Sequence, residues 1–460
     1  MNVMVIGSGG REDVISEAIH RSDKLGSLYA VMKNRNPGIA SRCEDFLLAK
    51  ETDVERVVDY ALLKKIDLAV IGPEAPLEKG IVDSLEENGI DAIGPKKIPA
   101  KIETDKSWAR QLMRDHNIEG CPEFGIFRDL EGVKEFLDDH REVVVKPSGL
   151  TGGKGVKVVG EHLKDKRDVI TYIKEVLKKH ESVVLEEKLD GEEFTIQAFT
   201  DGKDLIPSPA VQDHKRAYEG DKGPNTGGMG SYSDNGDILP FMERRDYDDA
   251  VKILERTLAA IREETGEKYK GVLYGQFMLC REGIKLIEYN ARFGDPEAMN
   301  TIPILKTDLL DIFESILDER LNSLDIEHER KATVCKYVVP KGYPEDPKID
   351  TVIKMSKRVE RETDKGEMVA NLRFANLKMG HFQMPRSKIF YSSVDERDGK
   401  IYTTSSRSLS VVGIADTIEE AEKIAEGELS KIEGEVFSRH DIGKESLIRK
   451  RIEHIKRLRG

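Results

Sequence analysis

The stretch Glu288-Tyr289-Asn290-Ala291-Arg292-Phe293-Gly294-Asp295-Pro296-Glu297 brings together residue types that could hold a metal and handle charge. Leu286 and Ile287 lead into it as apolar, strand-like residues. Alternate side chains of a strand share a face, so Glu288 and Asn290 point the same way. A carboxylate and an amide oxygen on one face are hard donors suited to Mg2+ or Mn2+; Mg2+ takes one or two protein carboxylates and leaves its other positions to water and phosphate. Arg292 is next on that face, and its guanidinium fork can clamp a carboxylate or phosphate in two parallel hydrogen bonds. Gly294, Asp295 and Pro296 then turn the chain and set Asp295 and Glu297 at the rim. Any one of these residues alone reads better as surface charge at a strand end; the whole string does not.

Three further stretches carry candidate binding chemistry. Val143-Val144-Val145-Lys146 is an apolar strand ending in a lysine, followed by the glycine loop Gly149-Leu150-Thr151-Gly152-Gly153-Lys154-Gly155 and the strand Val156 to Val159. Glycines admit backbone amides to a phosphate while the ammonium neutralises it. A P-loop would need a helix after the loop, where a strand stands here. A glycine hairpin alone is more often just a tight turn. Val183 to Leu189 is an apolar strand running into the acidic turn Asp190-Gly191-Glu192-Glu193, which could meet an adenine edge and a ribose; an edge strand with a charged turn is an equally good reading. Gln212-Asp213-His214-Lys215-Arg216 and Gly223-Pro224-Asn225-Thr226-Gly227-Gly228-Met229-Gly230 form a long, polar, glycine-dense loop, and loops of that length are usually functional or disordered. Its acids, bases and glycines favour function.

These residues need a scaffold, which the apolar pattern supplies. Val3 to Ile6 reads as a buried strand, and Gly7-Ser8-Gly9-Gly10-Arg11-Glu12 as a turn into a helix carrying Ile15, Ala18 and Ile19. Such a turn offers backbone N–H groups to an anion. A dinucleotide fingerprint would want glycine at Glu12 and an acid after Tyr29 to Met32, where Lys33 and Asn34 stand. The turn therefore reads as a phosphate site, with a purely structural turn as the alternative. Strand Leu68 to Ile71, the turn Gly72-Pro73-Glu74-Ala75-Pro76-Leu77, a helix over Ile81 to Glu87 and Ala92-Ile93 continue the alternation. Repeated strand–helix units imply a parallel sheet with ligands at the carboxyl ends of its strands, where Gly7 to Glu12, Asn36-Pro37-Gly38 and Gly72 to Leu77 would meet. A helix from Lys106 through Met113, strand Gly271 to Leu279 with Gln276 as a further oxygen ligand, helix Leu309 to Leu317, strand Ala332 to Val339, and helix Ile418 to Ala425 complete the pattern. The basic Ile448 to Arg459 reads as a helix-like solvated tail.

A chain of 460 residues implies two to four domains. With 35% charged residues and a net charge of -13, it lacks the basic face that nucleic acid or an anionic membrane would need. Cys43, Cys121, Cys280 and Cys335 form no C-x-x-C pair or disulfide framework, so reduced thiols in a cytoplasmic enzyme are expected. No apolar run at the start is long enough for a signal or membrane segment.

Taken in order, Gly-Ser-Gly-Gly-Arg-Glu at 7 to 12, Gly-Pro-Glu-Ala-Pro-Leu at 72 to 77, Gln-Asp-His-Lys-Arg at 212 to 216, Gly-Pro-Asn-Thr-Gly-Gly-Met-Gly at 223 to 230 and Arg-Phe-Gly-Asp-Pro-Glu at 292 to 297 resemble the phosphoribosylamine–glycine ligases of the ATP-grasp superfamily, from Val3 to about Gly443. That resemblance implies a multidomain α/β and α+β architecture. Residues 1–102 would be a parallel-sheet substrate domain, 103–121 with 190–330 the main grasp, 122–189 a mobile lid, 331–443 a small C-terminal α+β domain and 444–460 the basic tail. It implies ATP with Mg2+ or Mn2+, and glycine and 5-phosphoribosylamine as small-molecule substrates joined through a glycyl phosphate. The protein would act as a monomer, with a dimer as the alternative.

By the same resemblance, Lys106 and Lys146 would bind phosphates under the loop of Gly149, Gly152, Gly153, Lys154 and Gly155. Glu186, Glu187, Lys188 and Leu189 would meet adenine, and Glu193 the ribose. Gln276, Glu288 and Asn290 would hold metal. Arg292, Asp213, Lys215 and Asp295 are the catalytic candidates. Gly9, Gly10, Arg11, Glu12, Asn36, Gly38, Pro73, Glu74, Asn225, Gly228 and Met229 are the substrate-binding candidates. The sequence departs from the family pattern at Asp13, where histidine is usual, at Arg35, where glycine is usual, and at Pro147-Ser148, where Ala-Asp is usual. The competing readings are a sister ATP-grasp ligase, a nucleotide-binding oxidoreductase using the first glycine turn, and an ATP-dependent sensor without catalysis.

Overall fold

The structure is a computed structural model and describes residues 1–140, 142–152, 155–355 and 386–460. Gly153 and Lys154 lie outside the described residues. The chain opens with a five-stranded parallel sheet in the order Asp45–Leu48, Ser27–Met32, Asn2–Ile6, Leu68–Ile71, Asp91–Ile93. Its first strand is continuously apolar because both faces are covered: Val3 and Val5 enter one core, Met4 and Ile6 another. The order reverses between Asn2–Ile6 and Leu68–Ile71, so the turns after those two strands flank one crevice.

A second unit is an antiparallel sheet in which Gly191–Thr200 pairs along its length with Gly271–Cys280, and that strand with Gly283–Asn290. The register slips once. Phe277 faces Leu286 but Gln276 faces Glu288, so Ile287 is an extra, bulged residue. Strict alternation would put Leu286 and Glu288 on the same face. The bulge lets Leu286 stay in the core, fully buried, while Glu288 and Asn290 turn to the other side.

Residues 124–187 form a four-stranded antiparallel sheet in the order Phe124–Phe127, Val183–Glu187, Val143–Pro147, Lys157–Val158. It has a core of its own from Val133, Leu137, Val145, Ile173, Val176 and Leu185, separate from the larger cores. The helix Lys106–Asp115, capped by Asp105, precedes this unit.

The last sheet is built around Ala332–Pro340, buried along its length, with Gly230–Ser233 on one side and Leu409–Ala415 then Ser387–Tyr391 on the other. The stretch expected to be one long loop is thus largely paired: Gln212–Asp213 joins Gly230–Ser233, and Arg216–Tyr218 forms a hairpin with Lys222–Asn225. Its glycines hid the strands. Gly230 has φ +147, and a Cβ there would lie 2.2 Å from the Cys335 carbonyl oxygen, so only glycine lets the chains approach.

The basic C-terminal segment differs from the expected solvated tail. The helix Glu445–Arg459 buries Leu447 and Ile455, and its cations meet carboxylates of the body. Arg459 reaches both oxygens of Asp246 at 2.9 and 3.0 Å, His454 lies 2.7 Å from Glu192, and Arg451 pairs with Asp221 of the 216–225 hairpin. The pattern of isoleucine and arginine at helical spacing is an amphipathic face, and its positive charge is matched by buried acids rather than by solvent. Truncation after Gly443 leaves Asp246 and Glu192 buried without their cations, a loss of about 3 kcal/mol or more. We expect a lower melting temperature and reduced turnover; a truncated protein that melts and turns over like the full chain would contradict this docking.

Candidate active site

The metal candidates are placed by register. Residues directly opposed in an antiparallel pair share a face, so Thr195, Gln276 and Glu288 align, as do Gln197, Tyr274 and Asn290 one step along. Gln276 uses both ends of its amide on side chains: it donates to Glu193 at 2.6 Å and accepts from the Lys215 ammonium at 2.6 Å. Its oxygen is thereby engaged, and Glu288 and Asn290 are the oxygens left open on this face. Asn290 makes no side-chain hydrogen bond among the described residues. Burial alone would push the Glu288 carboxyl up, but Lys215, Lys146, Lys106 and Arg292 outweigh it and hold the group below its usual range. An anion and an amide oxygen ringed by four cations suit a divalent ion carrying a polyphosphate. Among the described residues no cluster of three His, Cys, Asp or Glu side chains could hold a metal alone. That fits Mg2+, which keeps water and phosphate in its shell.

Lys146 ends the strand Val143–Pro147 and reaches the Glu186 carboxylate at 2.8 Å and the Ile287 carbonyl at 2.7 Å. Glu186 also takes Arg110 in two bonds, at 2.8 and 3.0 Å. Its side chain is therefore committed to cations and not to an adenine edge. The backbone amides of Glu187 and Lys188 donate to Glu123 and Glu142 carbonyls at 3.0 and 3.2 Å, and Leu189 follows the strand's end. Lys106 donates to the Gly149 carbonyl at 3.3 Å, which brings this second lysine against the glycine loop. Gly152 has φ +57, and the Gly155 carbonyl accepts from Tyr172 at 2.7 Å.

The turn beyond Asn290 is knitted to the N-terminal sheet. Arg292 lies 2.8 Å from Glu103 and 3.3 Å from Glu74, and the Ala291 amide donates to Glu103 at 2.6 Å. Burial, with Glu74 adding, pushes Glu103 up to about 7 in spite of Arg292. Arg11 donates to the Phe293 carbonyl at 3.1 Å and pairs with Glu12 at 2.6 Å, whose other oxygen takes the Gly9 amide at 2.6 Å. Cβ atoms at Gly7 and Gly72 would lie 2.6 and 2.1 Å from the Glu12 side chain. The glycines of the first turn thus make room for a buried carboxylate, which explains glutamate where a dinucleotide fold has glycine. Pro73 precedes the short helix Glu74–Glu78. The Gly10 amide donates to Ser392 at 3.2 Å.

Several other candidates also make contacts within the fold. Asn36 caps the Gly38 and Ile39 amides and donates to the Ser8 and Tyr391 carbonyls at 3.1 and 2.8 Å. Gly38 lies against Asp13, which pairs with Arg42 and accepts from the Tyr391 amide at 2.7 Å. Arg35 pairs with Glu396 at 3.0 Å. The departures from the family pattern at Asp13 and Arg35 therefore both face the 386–415 strands. Met229 is fully buried, and Asn225 sits opposite Arg216 in the hairpin.

Asp213 is pushed well up by burial and by Glu297, against the pull of Lys215 and Arg407. Lys215 is held charged by Glu288, Glu193 and Asp213 in spite of burial. Gly228, at φ +109, would put a Cβ 2.6 Å from an Asp213 oxygen and 2.7 Å from Pro296, so glycine lets the hairpin lie on the 294–297 turn. Arg407 ties the two together. Its guanidinium donates to the Gly227, Gly228 and Asp295 carbonyls at 2.6, 3.1 and 2.9 Å and reaches the Asp295 carboxylate at 3.1 Å. Tyr337 donates to the same carboxylate. The roles of Arg407, Glu103, Arg110 and Tyr337 carried no spacing signal in the sequence.

Family models for phosphoribosylglycinamide synthetase match the chain in three parts, the N domain at residues 1–103, the ATP-grasp (A) domain at 104–298 and the C domain at 333–445. The phosphoribosylamine–glycine ligase of Methanocella arvoryzae is 54% identical over 460 residues, all of both chains. The chain belongs to the phosphoribosylamine–glycine ligase family. The relative named so from Thermococcus kodakarensis is 47% identical over 461 residues, again covering both chains in full. Among solved structures, the phosphoribosylamine–glycine ligase of Thermotoga maritima superposes with a TM-score of 0.74 at 26% identity, covering 96% of this chain and 100% of its own. A biotin carboxylase from Campylobacter jejuni superposes at 0.73 with 12% identity, covering 99% and 98%, which is a likeness of fold alone. As a member of the phosphoribosylamine–glycine ligase family, the chain carries the ATP-grasp architecture, and no described helix is long and apolar enough to cross a membrane.

Proposed function

We propose that this protein ligates glycine to 5-phosphoribosylamine at the expense of ATP, giving glycinamide ribonucleotide, ADP and phosphate through a glycyl phosphate. The observation that carries this is Lys215, whose ammonium lies between the Glu288 and Gln276 face and the Asp213 carboxylate, so that one cation adjoins both the phosphoryl-transfer side and the acceptor side. Family membership supports the substrates, and we propose the division at residues 1–102, 103–330 with its lid at 122–189, and 331–443 as the working domains.

In this reading Lys106 and Lys146 hold the triphosphate, and Glu288 and Asn290 would hold Mg2+ or Mn2+, which would supply charge neutralisation for the phosphoryl transfer. Arg292, fixed by Glu74 and Glu103, faces the glycine carboxylate as its oxygen takes the γ-phosphoryl group. The amine of phosphoribosylamine then attacks the acyl carbon; the C–N bond forms, the C–O bond to phosphate breaks, and the amine proton passes to Asp213. Burial and the neighbouring Glu297 raise the Asp213 carboxyl above its usual range, so that it holds an accepted proton more tightly than a free aspartate would. Lys215 neutralises the departing phosphate. Catalysis is positioning and electrostatics, with no side-chain nucleophile.

The test is ADP release from ATP and Mg2+ with glycine and freshly generated phosphoribosylamine each present or omitted. Release that requires both, with glycinamide ribonucleotide found by mass spectrometry, is expected. Release with another amine or carboxylate would move the assignment to a sister ligase.

A further inference from the structure

We propose that Arg110 is a positioning residue for nucleotide binding, acting through Glu186 so that Lys146 is not that carboxylate's sole cation and can serve the phosphates. The inference rests on the reading above that Lys146 faces the triphosphate. Four groups from four elements converge out of solvent: Arg110 from the helix Lys106–Asp115, Glu186 from the strand Val183–Glu187, Lys146 from the strand Val143–Pro147, and the bulged Ile287 carbonyl. Arg110, Lys146 and Glu186 are each under 5% exposed. Arg110 grips both oxygens of Glu186 and also donates to the Ile287 carbonyl at 2.7 Å, the same oxygen that takes Lys146 at 2.7 Å.

The charges explain why two cations are needed for one carboxylate. Lys146 alone with Glu186 would be a closed pair, neutral and satisfied, with little left to offer a phosphate. Arg110 takes both carboxylate oxygens in a fork, a geometry an ammonium cannot reproduce, and so leaves the cluster with one net positive charge. Of the two cations, Lys146 is the one that also feels Glu288, on the metal face, while burial and the Arg110 guanidinium pull its ammonium below the usual range. The cluster also ties lid to body, since Arg110 and Ile287 stand outside residues 122–189 while Glu186 and Lys146 stand within. Removing Arg110 leaves a buried carboxylate to be balanced by Lys146 alone, and losing one partner of a buried ionic group costs more than losing both.

The experiment compares Arg110→Met, Arg110→Lys, the double variant Arg110→Met with Glu186→Gln, and Lys146→Met. ATP binding is read from the fluorescence of Trp108, the single tryptophan, two residues from Arg110, and KM is measured for ATP and glycine. We expect Arg110→Met to weaken ATP binding about 100-fold with the glycine KM within a few-fold of wild type. Arg110→Lys should weaken it about 10-fold, and this milder variant carries the test if the methionine variant does not fold. The double variant should recover most of the affinity, because the uncompensated carboxylate is gone. A merely structural role would lower the melting temperature, move both KM values alike and show no recovery. Lys146→Met that binds ATP normally would overturn the reading of the site and this inference together. Lys146→Met that binds poorly while both Arg110 variants bind normally would overturn the inference alone.

Discussion

Glu288→Ala is expected to cut turnover by at least about 10³-fold while the protein keeps its fold. The side chain lies outside the packed core: the bulge at Ile287 turns it away from Leu286, and its nearest ion-pair partner is Lys215 at 3.8 Å. What it supplies is a charge held anionic among Lys215, Lys146, Lys106 and Arg292. Without that charge the face loses one of its two open oxygen donors, and the four cations are left facing each other. The loss should appear in kcat and in the Mg2+ concentration needed for half-activity, with the circular dichroism and melting temperature close to wild type. Activity within a few-fold of wild type at ordinary Mg2+ would remove Glu288 from the metal site.

That prediction also shows what the sequence could and could not convey. Glu288 and Asn290 were legible as a pair because side chains two apart on a strand share a face. Their opposition to Gln276 was not, because it depends on a one-residue slip. Without the bulge, the register Phe277 to Leu286 would continue to Gln276 and Ile287, and Glu288 would fall on the face of the core. The elements themselves were legible wherever apolar runs were long: Ile81–Glu87 and Leu309–Leu317 have the expected bounds. The 212–230 stretch was legible as chemistry from its composition, but its pairing was not, since Gly228 and Gly230 adopt backbone angles that no propensity for strand encodes. The C-terminal segment misled by charge: lysines and arginines that suggest a solvated helix are matched by Asp246, Glu192 and Asp221, which are 200 or more residues away in the chain.

Arg407→Met is expected to lower kcat about 100-fold with the affinity for ATP unchanged, because its contacts all lie on the acceptor side of the site. One guanidinium holds the carbonyls of Gly227 and Gly228, between the hairpin and the strand Gly230–Ser233, and both the carbonyl and carboxylate of Asp295 in the turn after Arg292. It also lies 4.5 Å from the Tyr337 ring centroid, whose hydroxyl donates to Asp295. Cutting this tie frees the 227–228 segment, which packs against Asp213, to move relative to the 294–297 turn, and an ångström of misplacement between reacting groups costs about this factor. Arg407→Lys should not restore the rate. An ammonium has no planar fork, and it cannot span acceptors on two separate segments while stacking on an aromatic face. Steady-state rates with each substrate varied, beside nucleotide binding measured directly, separate the outcomes. Loss of ATP affinity would mean the C-terminal domain reaches the nucleotide side. A rate within a few-fold of wild type would mean that the 227–228 segment is held by the adjoining pairing of Gly230–Ser233 with Ala332–Pro340 alone, and that Arg407 is not a positioning residue.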